Sequence, residues 1–598
     1  MTASLDLWPI GNCQVSALVD RAGRFVWACA PRVDGDAVFS ALLSGKEETD
    51  TDAHGMWDIA LEGSVSVEQA YLRNTPILVS RHTDANGNAI EITDFCPRIE
   101  GPGRTYRPVA FARIVRPVAG SPRIRVRLRA THGWGQTDVG RVIGSNHIRY
   151  VANGWNLRLS TTAPVGMIME ERAFRIERPL HFFLGPDESF VGPIGATVER
   201  MQDDTAAGWR EWVRGLAIPP EWQDVVIRSA ITLKLCQHEE TGAIVAALTT
   251  SIPEHANSQR NWDYRYCWIR DAYYTVQALN RLGALDVLES YLAYLRNIVD
   301  SAGQGHIQPL YSVLGEPRIP ERVEPSLPGY RNMGPVRVGN EAYSQVQHDA
   351  YGQIVLSSAQ AFIDQRLLRP SGPEDFAALE RVGERAWSAH DQPDAGLWEL
   401  RTKQDVHTYS TAMCWAACDR LAMAADALGL KDRVDFWSER AQRIRNKIES
   451  TAWNAERGYI SATLSGDQLD ASLLQLLDLR FLASSDPKFQ GTLLAVEKRL
   501  RRGSHMLRYA HEDDFGLPAT AFNVCTFWLI EALHLTGRSQ EARMLFEEML
   551  SRRTASGLLS EDIDPATGEL WGNYPQTYSL VGLINCAVLL SKPWNAFR

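Results

Sequence analysis

The chain has 598 residues, 45% apolar and 22% charged, with a net charge of -10 at pH 7. That length exceeds one ordinary core, so two or more domains are expected. The acidic balance argues against nucleic acid or anionic lipid as a partner. No run approaches the roughly 20 apolar residues of a membrane span.

Up to about residue 200 the chain reads in period two. FARIVRPV, RIRVRLRA, HIRYVANGWNLRLST and RAFRIERPLHFFLG are short strand-like runs broken by Gly, Pro, Asn and Asp. Such runs at close spacing predict an antiparallel β-sandwich over residues 1–200. In RIRVRLRA the four arginines 123, 125, 127 and 129 share one strand face, read as a solvated face rather than a phosphate site. GPGRTY (101–106) lacks the third Gly and the strand–helix context of a dinucleotide loop, so no nucleotide cofactor is indicated. DDTAAGWREWVRGLAIPP then reads as a linker helix within 201–220, closed by a Pro pair.

From Glu221 to the end, helical periodicity dominates, with Gly stops after LNRLG, DALG and LHLTG. Twelve helices are predicted, near 221–238, 268–282, 284–302, 347–366, 374–390, 409–429, 431–452, 469–481, 488–501, 521–537, 538–552 and 576–592. The links after the odd-numbered helices are long (239–267, 303–346, 391–408, 453–468, 502–520 and 553–575) and the others short. Short and long links alternating between antiparallel helices put every long loop at one end. Six inner and six outer helices with one elaborated end describe an (α/α)6 barrel, and that end is the candidate site.

The first long loop carries SQRNWDYRYCWIRDAYY, where Trp and Tyr crowd around arginine and aspartate. Asp271 in a first helical turn complements the free N–H groups there, with Arg270 as its partner, as one reading. The aromatic surround supports another: rings stack on apolar sugar faces while Asp and Arg bond hydroxyls. In the third loop Glu399 follows Trp398. A carboxyl beside an indole in a closed site keeps its proton more readily and suits a general acid; the plainer reading is a surface Glu in a turn. The last loop has Glu561 as a possible base, while DPATGEL reads as a tight turn at Gly568, and Asp562, Asp564 and Glu569 do not match a calcium loop. The fifth loop adds Arg508. No metal site is expected. Cys414 and Cys418, among apolar neighbours, read as core, and nine scattered cysteines fit buried thiols in a reducing cytoplasm.

Four motifs in order, NWDYRYCWIRDA, PVRVGNEAYSQVQHDAYG, GLWELR with HTYSTAMCWAACDR, and GLLSEDIDPATGELWGNYPQTYSLVGL, resemble the glucoamylase-like glycoside hydrolases, family 15, which includes bacterial trehalases. IGNCQVSALVDRAGRFVWACAPRVDGDAVFSALL resembles the start of the bacterial members, so the likeness spans nearly the whole chain. The resemblance implies a β-sandwich followed by an (α/α)6 barrel. It implies an inverting exo-acting enzyme on small α-glucosides, with Glu399 as general acid and Glu561 as general base. It further implies Trp268, Arg270 and Asp271 around the first glucose, Trp398 and Arg508 as added sugar contacts, no cofactor, and possible homo-oligomers. NEAYSQVQHDA departs from the family pattern at Glu341 and Tyr343, in the region of the second sugar. With no export signal at MTASLDLWPI and no starch-binding module after the twelfth helix, a small cytoplasmic substrate is expected over bulk starch. The alternatives are an inverting disaccharide phosphorylase and a non-catalytic sugar-binding protein.

Overall fold

In a computed structural model, residues 3–45, 53–137, 139–303 and 305–597 are described. Two antiparallel sheets occupy the N-terminal part. One runs Trp8–Gly11, Ser16–Val19, Phe25–Cys29, Met56–Leu61, Arg123–Arg129, Phe174–Arg175, with Ala37–Phe39 beside Phe25–Cys29. The other has eight strands in the order Gly140–Ile143, His147–Ala152, Trp155–Thr161, Leu180–Gly185, Phe111–Ala119, Ala89–Phe95, Leu78–Asp84, Ser64–Tyr71. Alternate residues of both sheets, among them Phe25, Trp57, Ile92, Phe111, Leu159 and Phe182, fill the space between them. RIRVRLRA shows the alternation plainly: Ile124, Val126 and Leu128 are buried, while Arg123, Arg127 and Arg129 pair with Glu62, Asp58 and Glu171 on the other face. GPGRTY is the turn of a small hairpin, Ile99–Gly101 against Arg104–Tyr106.

The helix Ile194–Arg214 starts behind Pro193, earlier than the texture of the sequence suggests, and seats Trp209 and Val213 against Ile231 and Leu235 of the next helix. Six helices then form an inner set among the described residues: Ile269–Arg281, Asp349–Ala359, Thr408–Ala427, Gln475–Asp478, Asn523–Leu535 and Thr577–Leu590. Neighbours in this order pack together, the fifth meeting the fourth through the turn Ala471–Leu474 that precedes it, and the last packs on the first. The outer set is Gln223–Leu235, Leu285–Ala302, Pro373–Ala389, Lys431–Thr451, Pro487–Leu500 and Ser539–Ser551. The two sets differ as position demands. Lys431–Thr451 buries only the stripe Trp437, Ala441, Ile444, Ile448, whereas Asn523–Leu535 is buried from Asn523 to Ile530 without a break.

The fourth inner helix is shorter than its apolar pattern predicts. A 3-10 turn, Ala471–Leu474, precedes it because the Asp470 carboxylate accepts from Ser472 N–H and starts the turn early. All nine cysteines are free and buried, Cys414 and Cys418 included. No described helix is long and apolar enough to cross a membrane.

Candidate active site

The six long links gather at one end, and five of them line one pocket. The fourth link, 453–468, contributes no lining residue. Trp268, Arg270, Asp271, Trp398, Glu399, Arg508 and Glu561 all line it, so these seven candidates meet in one pocket, whereas Glu341 and Tyr343 are not among its lining residues.

The aromatic stretch runs from loop through a short strand into a helix. Trp268 ends a two-residue strand paired with Leu310–Tyr311, and the helix Ile269–Arg281 starts next to it. Trp268 Nε1 donates to Glu399 Oε1 at 2.6 Å, and Arg270 Nη2 donates to the same oxygen at 2.9 Å. Four residues earlier, the Tyr264 hydroxyl donates to Glu561 Oε1 at 2.6 Å. The Tyr264 and Trp268 rings meet edge to face, centroids 5.5 Å apart. One stretch of chain therefore holds both carboxylates.

Glu399 sits in a tight turn at φ 60°, left-handed backbone that few glutamates adopt. Trp398 does not cover it: the indole Nε1 points to Asp470 Oδ2 at 2.9 Å, and its ring packs against Tyr509, Phe522 and Trp528. The expectation that Trp398 desolvates Glu399 is thus corrected, since residues adjacent in a turn point to different sides. The environment of Glu399 is set by Trp268 and Arg270, and its Oε2 has no hydrogen-bond partner among the described residues.

Arg270 is also a different tool from a sugar grip alone. Its Nη1 reaches Gln347 Oε1 at 2.8 Å and Asp349 Oδ2 at 3.3 Å, so most of the guanidinium is spent on orienting Glu399 from a buried scaffold. Asp271 is the freer group: 6% exposed, with Arg270 Nε no closer than 3.9 Å. Burial, partly offset by Arg270, pushes its carboxyl up to about 7.

Glu561 is 1% exposed and belongs to a cluster that sequence reading missed. Oxygens of Glu254, Glu561 and Asp562 lie within 4.8 Å of one another, and Arg508 ion-pairs with Glu254 to supply the local positive charge. Burial first, then the Glu254 charge, pushes the Glu561 carboxyl up to about 8, against the pull of Tyr264 and Arg508. Its Oε2 is buried without a partner, as is Asp562 Oδ2. Gly572, at φ 75°, leaves room for this arrangement: a Cβ there would lie 2.6 Å from Glu561 Cβ and 2.7 Å from Oε2. Glu254 lies in SIPEHAN, with no sequence cue, whereas Tyr264 lay in view inside the aromatic stretch.

Paired carboxyls in an aromatic-lined pocket at the loop end of an α/α array make this a glycoside hydrolase, and comparison with known proteins agrees. The profile of glycosyl hydrolases family 15 matches residues 221–588, and one described as trehalase-like, N-terminal matches 7–164. The chain belongs to glycosyl hydrolases family 15. It is 32% identical to a trehalase of Mycolicibacterium smegmatis over 97% of this chain and 90% of that protein. It is 30% identical to a trehalase of Thermoplasma volcanium over 98% of this chain and 93% of the other. The fold is similar to a bacterial glucoamylase crystallised with acarbose, with a TM-score of 0.68 and 13% identity, covering 98% of this chain and 94% of that one.

Proposed function

We propose that the protein hydrolyses trehalose to glucose by single displacement, with Glu399 as general acid and Glu561 as general base. The observation that carries this reading is the segment 264–270, which hydrogen-bonds Oε1 of both carboxyls and leaves Oε2 of each without a hydrogen bond among the described residues. Glu399 Oε2 gives its proton to the glycosidic oxygen. Glu561 Oε2 takes a proton from the water that attacks C1 on the opposite face, through an oxocarbenium-like state; the attacked ring is released as β-glucose and the leaving ring, its own C1–O bond intact, as α-glucose. Asp271, buried and lightly paired, accepts hydroxyls of the first sugar. The choice of trehalose among α-glucosides is supported by the trehalase relatives matched along almost the whole chain.

NMR of the reaction with trehalose, maltose and isomaltose reads substrate and product anomer together. Trehalose is expected to be consumed fastest, with α- and β-glucose appearing in equal initial amounts because the leaving glucose keeps its α configuration; an initial product that is α-glucose alone overturns inversion. Glu399→Gln and Glu561→Gln are each expected to lose about 10²–10⁴ of kcat while still binding glucose, and near-normal turnover in either removes it from the mechanism.

A further inference from the structure

We propose that Asp514 and Phe515 close the mouth of the pocket and restrict the substrate to two sugar rings, an inference that rests on the functional reading above and deepens it. The turn that carries Glu399 is gripped from the fifth long loop. Asp514 accepts from the backbone N–H of Arg401 at 2.6 Å and of Thr402 at 3.1 Å, and also takes the Thr402 hydroxyl. Lys403 Nζ reaches Glu512 O at 2.7 Å. Next to this grip, Asp513 makes a two-pronged pair with Arg260 of the first long loop at 2.8 and 2.5 Å, with side chains only 3% and 5% exposed. Arg260 also donates to Gly516 O at 2.9 Å.

A second layer joins the remaining side. Arg401 pairs with Glu321 at 2.7 Å, and Glu321 pairs with Arg337 at 3.2 Å. The Trp262 indole is flanked by the guanidinium groups of Arg401 and Arg337, 4.6 and 4.8 Å from its ring, and Phe515 meets it edge-on at 5.1 Å. Four separate loops are thereby tied into a collar, and Trp262, Arg401, Asp513, Asp514 and Phe515 line the same cavity as Glu399 and Glu561.

The charges of this collar are spent on one another. Arg260 is matched by Asp513, and Arg401 and Arg337 by Glu321, while Asp514 is used on backbone N–H groups. The guanidinium groups of Arg401 and Arg337 lie over Trp262 and those of Arg260 and Arg401 over Phe515, so the collar presents a packed wall at the pocket rather than an ionic site. An exo-acting enzyme on longer chains needs an open path for rings beyond the second. A loop fastened across to the acid-bearing turn occupies that path.

The test compares trehalose with trehalose carrying one further α-glucosyl ring, in the wild type, Asp514→Ala, Asp514→Asn and Phe515→Ala. The wild type is expected to show kcat/KM at least about tenfold lower for the three-ring substrate. Asp514→Ala and Phe515→Ala are each expected to raise the three-ring to two-ring ratio at least about tenfold. Asp514→Asn, which keeps an acceptor, is expected to stay nearer the wild-type ratio. Phe515, 37% exposed, can be truncated without opening the core, so it decides the matter if Asp514→Ala does not fold. A wild type indifferent to the third ring, or a ratio unmoved in the folded variants, overturns the collar while leaving trehalose hydrolysis standing. A wild type that does not hydrolyse trehalose overturns the functional reading itself.

Discussion

Glu254 touches neither of the two reacting carboxyls' free oxygens, yet it sets the conditions under which Glu561 works. Its charge is the second cause, after burial, of the upward shift of Glu561 to about 8. A base acts only when deprotonated, so turnover falls as the pH drops through that range, higher than for an ordinary carboxylate. Glu254→Gln removes the negative neighbour and keeps one acceptor oxygen, for either Arg508 or Trp262. The acid limb of the kcat/KM profile is then expected to move to lower pH by about one unit, and an unmoved limb would show that Glu254 does not act on Glu561. Asp271 obeys the same sign: its carboxyl, pushed up to about 7 chiefly by burial, accepts sugar hydroxyls best when ionised. Substrate binding is therefore expected to weaken below that pH in the wild type and to lose this dependence in Asp271→Asn, as read from the pH profile of KM.

Among the elements, the turn Trp571–Gly572–Asn573 bears on the chemistry although it contributes no reacting group. Gly572→Ala forces a methyl to within 2.6 Å of Glu561 Cβ at a φ of 75°. A displaced base of this kind is expected to lower kcat by about 10²-fold, and the strained backbone to lower the thermal midpoint as well; an unaltered kcat would show that the strand Asp562–Ile563 yields instead. The helices around this turn were legible in the sequence because burial imposes its period on them. Which helices are inner and which outer shows only in the structure, where Lys431–Thr451 buries one stripe and Thr577–Leu590 most of its length. The loop end was legible only in part. Glu399, Glu561, Arg270 and Asp271 stand in distinctive local strings, but Glu254 acquires its meaning from residues on the far side of the chain. The direction in which Trp398 points was equally hidden, since a left-handed turn at Glu399 sends neighbouring side chains apart.

At the scale of the whole molecule, the sandwich is a buttress for the pocket. Arg265, with no exposed side-chain surface, pairs with Asp263 at 2.7 Å inside the aromatic stretch. It also donates to Gly35 O at 2.5 Å in the sandwich and stacks 5.0 Å from the Trp134 ring. Nearby, Trp27 Nε1 donates to Leu248 O at 2.7 Å and Val313 N–H to Asp34 Oδ2 at 3.1 Å. The segment that bonds both carboxyls is thus fastened from behind. Arg265→Met leaves Asp263 buried and unpaired, a loss of about 3–5 kcal/mol. Chemical denaturation is expected to show it as an earlier transition, accompanied by a lower kcat in the protein that remains folded. Stability lost without any change in kcat would reduce the contact to simple cohesion.

The buried thiols turn this architecture into something that can be watched coming apart. Cys13 donates to Lys234 O across the seam between sandwich and helices, and Cys29 lies 3.4 Å from Arg265 Nη1. Burial pushes Cys13 up to about 12 and Cys29 up to about 11, so both are silent toward alkylating reagents while the seam is shut. Cys525 and Cys586 are buried within inner helices, Cys586 against Phe527 O, and need that set to open. Timed alkylation followed by mass spectrometry therefore gives each lobe its own clock, and labelling of Cys13 and Cys29 ahead of Cys525 and Cys586 would mark the parting of the lobes as the first event of unfolding.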